Sequence, residues 1–199
     1  MPQSSVIGLP SDVRARLGAV WFIGSLLVFF ITSILFYAIY AYSRRDDPFR
    51  QEPLPMSFLG STVCLLMISG LVHLSTISVR RDRWTKTSIL LGVSTILAIV
   101  FLAVQMLAMS QMLRETVGNV GNGRGVVGMV IVLAFLHALH VAGGVISLGV
   151  VAIGAASGRY DHERHFAVDF AAFYWHFLDL VWLVMLLSFW LTTGGFGLR

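Results

Sequence analysis

Two pairs of ionisable side chains lie inside apolar stretches of this 199-residue sequence. His137 and His140 are three residues apart in one stretch, and His176 and Asp179 are three residues apart in the next. A spacing of three places both members of a pair on one face of a helix. Imidazole and carboxyl groups can ligate metals, carry protons or hydrogen-bond to one another, and at membrane depth they usually serve a specific purpose. These four residues are therefore the first candidates for a functional site.

The composition indicates that the elements positioning these residues are membrane helices. Hydrophobic residues make up 57% of the chain and charged residues only 12%, whereas soluble domains have roughly 25% charged residues. Five apolar segments each approach or exceed the roughly 20 residues that a spanning helix needs; they cover residues 17–42, 57–79, 87–113, 126–156 and 171–193. The predicted fold class is an all-α integral membrane protein, with one five-helix transmembrane domain over residues 17–199. Residues 1–16 are predicted to be a cytoplasmic segment without the features of a cleaved leader.

The connecting segments predict the topology and exclude some functions. Cytoplasmic loops carry the excess of Lys and Arg, and a cytoplasmic N-terminus places eight basic residues on that side against six on the other. We therefore expect the C-terminus on the opposite side. The net charge of +4 is spread over the loops, so no nucleic-acid partner is predicted. The single cysteine, Cys64, excludes an internal disulfide.

The two polar pairs are expected to meet between neighbouring helices. A short connector joins the fourth and fifth segments, so their helices must run antiparallel. Unpaired polar groups in hydrocarbon cost several kcal/mol, and mutual hydrogen bonding removes that cost. We therefore predict an interhelical polar network that fixes which helices pair and in what register. Its members are His137, His140, His176 and Asp179, with His73, Gln105, Asp169 and Tyr174 as second-tier polar residues.

Two other interpretations of these residues stay open. Histidines on membrane helices are axial ligands of b-type haem, so His140 and His176 could make the chain an electron-transfer anchor. Intramembrane Asp and His also occur in proton paths and transporters. The sequence shows no inverted repeat and no broken helix of the kind transporters use. No set of metal ligands, and no nucleophile with a base beside it, is evident.

A separate group of basic and imidazole side chains lies in the connector before the fifth segment. This group could be a solvated, charge-balanced loop. It could also bind the headgroups of anionic lipids at the cytoplasmic surface. The candidate lipid-headgroup residues are Arg159, His162, Arg164 and His165.

Two stretches resemble a known family. Phe135-Leu-His137-Ala-Leu-His140-Val and Tyr174-Trp-His176-Phe-Leu-Asp179-Leu-Val-Trp182 are similar to the last two helices of subunit III of the haem-copper terminal oxidases. Asp169, seven residues before His176, stands where that family more commonly has Glu. The first segment resembles the third helix of the seven-helix members, which indicates the five-helix form. Leu26 and Gln105 stand where the family usually carries acidic residues.

The resemblance implies a supporting role in a respiratory complex. Subunit III of that family binds no haem or copper, packs against the catalytic subunit I, holds phospholipid and supports proton uptake and resistance to inactivation. The chain is thus expected to be a non-catalytic part of a cytochrome c or quinol oxidase in the bacterial plasma membrane. Its expected partners are oxidase subunits and membrane lipids, with haem and copper on the partner subunits. An accessory protein of nitric oxide reduction is an alternative within the same resemblance.

Overall fold

The structure is a computed structural model that describes residues 11–46, 54–55, 57–118, 125–160, 165–193 and 196–197. Five long helices dominate it: α1 (Ser11–Ser43), α2 (Ser57–Val79), α3 (Trp84–Gly118), α4 (Gly125–Ala156) and α5 (Phe166–Thr193). All five are long and apolar enough to cross a membrane. A helix satisfies its own backbone hydrogen bonds, which hydrocarbon cannot do. The predicted all-α class with five spanning helices is confirmed.

The helix boundaries differ from the predicted segments mainly in the connectors. Helix α1 begins at Ser11 and α5 at Phe166, so both extend into segments that the sequence assigned to solvent. Asp169 consequently lies in the first turn of α5 and not in the connector. Helices in a membrane continue past the hydrocarbon into the polar surface region, where charged side chains no longer oppose them.

Short turns join the helices where the connectors are described. Between α2 and α3, Asp82 adopts a positive φ of 53°. After α4, Gly158 has a φ of +65°, and the amide of Arg159 donates to the carbonyl of Gly154 at 3.1 Å. A left-handed glycine just past the last turn is a common helix C-cap. It ends α4 and reverses the chain towards α5.

Helices α2, α3, α4 and α5 form a closed ring, and α1 packs outside it against α4 and α5. Helix α3 packs along both α2 and α4, while α5 contacts α1, α2 and α4. Of the five, α5 is the most covered by protein and α1 the least. Gly144 lets α4 approach α5 closely, since a Cβ atom there would lie 3.1 Å from Leu178 and 3.4 Å from Trp175. Gly144 thus permits close packing of α4 on α5, a role that small residues commonly have between membrane helices.

A two-residue strand pair, absent from the sequence-based expectations, lies outside the bundle. Strand β1 (Leu54–Pro55) pairs in parallel with β2 (Phe196–Gly197). It ties the segment after α1 to the segment after α5. Both ends therefore lie on the same side of the bundle.

Candidate functional site

His137 occupies the inner face of α4 and is surrounded by aromatic rings. Its side chain is 3% exposed. The imidazole stacks on the indole of Trp182 with centroids 5.5 Å apart, and the ring of Phe30 lies 5.9 Å away, edge-on. Neither ring nitrogen has a hydrogen-bond partner in the described part of the chain. Aromatic packing, and not polar pairing, holds this side chain in place.

His140 lies one turn further along α4 and faces α1. Its Nδ1–H donates to the carbonyl of Leu136 on its own helix at 2.7 Å, and its ring packs edge-on to Phe30 at 5.0 Å. The hydroxyl of Tyr174 donates to the backbone carbonyl of His140 at 3.0 Å. Tyr174 therefore does connect α5 to the predicted site, but through the backbone and not through an imidazole.

His176 points to a different helix from the one expected. Its Nδ1 shares a hydrogen bond of 2.6 Å with the hydroxyl of Ser69 on α2. The ring of His73, also on α2, lies 6.2 Å away. Asp179 is 6% exposed, and neither of its carboxyl oxygens has a hydrogen-bond partner among the described residues. Ser69 also lies close to Asp179, so it is the common neighbour of both α5 side chains.

The four predicted residues therefore form two clusters and not one network. The first cluster is aromatic and joins α4 to α1 and α5 around His137 and His140. The second is polar and joins α5 to α2 around Ser69, His73, His176 and Asp179. No direct hydrogen bond links any two of the four predicted residues within the described ranges. The sequence-based expectation paired only helices adjacent in the chain, whereas α5 packs against α2 as well. The functional role assigned to these residues stays a prediction.

Gln105 and Asp169 lie apart from both clusters. Gln105 is buried on α3, and its amide nitrogen has no partner within the described residues. Asp169 forms an ion pair with Arg80 at 3.0 Å and lies 3.4 Å from the Nε2 atom of His165. This group joins the start of α5 to the end of α2 at one end of the bundle.

A cleft of about 340 Å³ opens at the same end, between the N-terminal parts of α1 and α5. Arg16, His165 and Asp169 supply its polar groups, and Val20, Phe166, Phe170 and Phe173 supply most of its apolar wall. The guanidinium of Arg16 lies 5.8 Å from the centre of the Phe166 ring. Of the predicted headgroup residues, His165 lines the cleft and Arg159 does not, while His162 and Arg164 lie outside the described residues. Arg16 was not predicted to contribute.

Sequence reasoning missed two other polar contributors. The indole N–H of Trp182 donates to the hydroxyl of Thr62 on α2 at 2.9 Å, and Ser69 binds His176. Serine and threonine are common on apolar helices, where they usually donate to their own backbone. Thr62 also donates to the carbonyl of Phe58 on its own helix, and nothing in the spacing of Thr62 or Ser69 indicates their additional contacts with α5.

Fold and site together define an integral membrane protein of five helices, with several polar side chains buried between the helices. Among the described residues, no three His, Cys, Asp or Glu side chains converge as metal ligands. Residues 12–193 match the family model of cytochrome c oxidase subunit III. The chain belongs to the cytochrome c oxidase subunit III family.

Curated relatives support this assignment. The chain is 30% identical over 142 residues to cytochrome c oxidase subunit 3 of Chondrus crispus, a match covering 69% of this chain and 48% of the relative. It is 28% identical over 126 residues to the subunit 3 of a Synechocystis species, covering 63% and 52%. A third relative, from Marchantia polymorpha, is 40% identical over 65 residues, or 32% of this chain and 24% of the relative. The matches span about half or less of these relatives.

Proposed function

We propose that this chain is a non-catalytic subunit of a haem-copper oxidase that reduces oxygen to water and translocates protons. In this role it packs on the catalytic subunit I, and haem and copper are held by partner subunits. The observation that carries the proposal is the family match over residues 12–193. The geometry is in keeping with it, since His176 hydrogen-bonds to Ser69 on α2 and Tyr174 hydrogen-bonds to the backbone of α4, so that polar side chains join neighbouring helices. We place the complex in the bacterial plasma membrane, with the N-terminus of this chain cytoplasmic.

The alternative of a haem b anchor finds less support. His140 packs against Phe30 on α1, while His176 is turned towards Ser69 and His73 on α2. A single haem iron needs two axial nitrogens aimed at one point from opposite sides. His140 and His176 instead point towards different helices and not towards one common point.

The decisive experiment is affinity purification of the tagged chain from its native membrane in mild detergent. Co-purification of a large subunit carrying haem and copper is the expected result. Recovery of the chain alone with bound haem b would overturn the proposal in favour of the electron-transfer anchor. Recovery alone and without colour would favour a transporter, and recovery with a nitric oxide reductase would favour the related accessory role.

The proposal includes phospholipid at the cleft between α1 and α5. An aromatic wall suits acyl chains, and a basic side chain at the polar end suits a headgroup phosphate. Arg16 lines the cleft and forms no ion pair among the described residues. Arg80 lies outside the lining and pairs with Asp169. Arg16→Gln is expected to reduce the anionic phospholipid that co-purifies with the complex, measured by mass spectrometry of extracted lipids.

The matched control for the lipid experiment is Arg14→Gln. Arg14 is exposed on the same helix and does not line the cleft. It should leave the bound lipid unchanged. Equal lipid loss in both variants would show that general surface charge, and not the cleft, retains the lipid.

A further inference from the structure

The outer surface of α2 exposes a histidine at membrane depth. His73 belongs to the exposed class of side chains, although it lies within the spanning segment Phe58–Val79. It is seven residues, or about 10 Å along the helix, from Arg80, where the polar surface begins. An imidazole is too short to reach the headgroup region over that distance. Within the described residues, the His73 ring forms no hydrogen bond and has only the neighbouring ring of His176 at 6.2 Å.

An imidazole in that position is unfavourable against lipid. Ionisable residues in spanning helices almost always face a bundle interior or a polar partner, and unsatisfied polar groups in hydrocarbon cost several kcal/mol. Among the described residues no hydrogen bond joins His176 to His73, and the Nδ1 atom of His176 is bonded to Ser69. A hydrogen-bond partner for His73 must therefore come from outside the described part of the chain.

The exposed surface of α2 around His73 has the features of a helix–helix contact. Leu66, Gly70, His73 and Ile77 recur at helical spacing and are all exposed. A Cβ atom at Gly70 would meet nothing within 4 Å, so a second helix can approach the α2 backbone closely there. Small residues at such positions are typical of helix–helix contacts in membranes. We call this surface the His73 stripe.

The opposite side of the bundle offers a contrast within the same molecule. Two grooves flank Val132 on α4, one with α3 and one with α1, and their walls are mainly apolar. The hydroxyls of Ser33 and Ser110 in these grooves donate to carbonyls of their own helices. The walls of these grooves are mainly apolar and contain no ionisable side chain, so this side is suited to lipid chains.

We propose that the His73 stripe is the surface on which a transmembrane helix of a partner subunit docks, presenting a hydroxyl, amide or carboxyl side chain to His73. This inference rests on the proposed function, since the partner is taken to be an oxidase subunit. It goes beyond that function by assigning the docking face. It also gives a role to the α2–α5 polar cluster, in which the Ser69 bond holds His176 against α2 with its ring 6.2 Å from that of His73.

Photo-crosslinking tests the docking face. A benzoyl-phenylalanine residue replaces Leu66 on the stripe or, as the control, Leu139 on the exposed face of α4. After irradiation of native membranes, the complex is purified through a tag on this chain. Crosslinks to an oxidase subunit from position 66 and not from position 139 are expected. Crosslinks from position 139 alone, or from neither position in a preparation that contains the oxidase, would overturn the face assignment. A preparation lacking any oxidase subunit would instead overturn the proposed function.

A side-chain variant tests the hydrogen bond itself. His73→Leu should lower the retention of this subunit in the complex by roughly threefold, the equivalent of one average interhelical hydrogen bond in a membrane. His73→Gln, which keeps a hydrogen-bonding group, should restore most of it. The melting temperature of the isolated chain should not fall in His73→Leu, because no internal hydrogen bond is lost. A fall in that temperature, or unchanged retention, would contradict a docking role for His73.

Discussion

Trp182 and His137 stack face to face across the interface of α5 and α4, with ring centroids 5.5 Å apart and an angle of 28° between the planes. The same indole donates its N–H to Thr62 on α2. One side chain thus connects three helices, by stacking on one side and by a hydrogen bond at its edge. Trp182 is 1% exposed, so neither contact competes with solvent.

Thr62→Val is expected to destabilise the bundle more than its small change in volume suggests. The Thr62 hydroxyl donates to the carbonyl of Phe58 and accepts from Trp182. Its loss leaves a buried indole N–H without an acceptor, which costs about 1–3 kcal/mol. Thermal unfolding of the purified chain in detergent measures the effect. Thr95→Val is the control, since that hydroxyl bonds only to its own helix; an equal loss in both variants would contradict the role of the Trp182 bond.

Gly144→Val is expected to separate α4 from α5. Its side chain would start 3.1 Å from Leu178 and 3.4 Å from the Trp175 ring, and overpacking of this kind costs about 1–3 kcal/mol. Gly128→Val on the same helix is the matched control, because a Cβ atom there meets nothing within 4 Å. Melting temperatures of the two variants should differ clearly. Similar values would mean that helix propensity, and not the α4–α5 approach, determines the loss.

Leu26→Glu should not raise sustained oxidase turnover, although subunit III of the haem-copper oxidases usually has Glu at this position. Leu26 is 9% exposed and belongs to the apolar core, one turn before Phe30, which packs on both α4 histidines. A carboxyl group there would be buried among apolar side chains, at a cost of about 2.5–3.5 kcal/mol on insertion scales. Turnover assays over many cycles, with Leu26→Gln as an uncharged control, check this. Longer-lived turnover in Leu26→Glu alone would show that the site still uses an acidic group.

The five helices were predictable because hydrophobic length alone determines them. The apolar runs around Val132 and Trp182 predict spanning helices whichever helices pack against them. The partners of the polar residues were not predictable, since they depend on which helices meet. His176 is 36 residues from His140 but bonds to Ser69, 107 residues away. A helical period places His176 and Asp179 on one face, and only the packed bundle shows that this face meets α2.

The spacing of the polar residues also did not predict which of them would have hydrogen-bond partners. His137 and Asp179 are buried without hydrogen bonds in the described ranges, contrary to the expected pairing. The cleft between α1 and α5 depends on Arg16, which the sequence places in a polar leading segment and the structure places on α1. Helices α1 and α5 begin before their apolar segments, and these additional turns position Arg16 and Asp169 at the cleft.

His176→Leu and Asp179→Asn are expected to separate the two roles of the α2–α5 cluster. His176→Leu removes the bond to Ser69 and should cost about 0.6 kcal/mol, the average for such bonds in membranes. Asp179→Asn keeps the size of the side chain and removes no hydrogen bond within the described residues, so the isolated chain should melt at the same temperature or, where the acid costs more to bury than the amide, at a higher one. In the complex, His176→Leu should release this subunit more readily in detergent, because His176 supports His73, while the haem absorption stays unchanged. Asp179→Leu tests the same release with a larger apolar side chain. Full retention of both leucine variants after the wash would show that the cluster holds α5 to α2 without helping to hold the subunit in its complex.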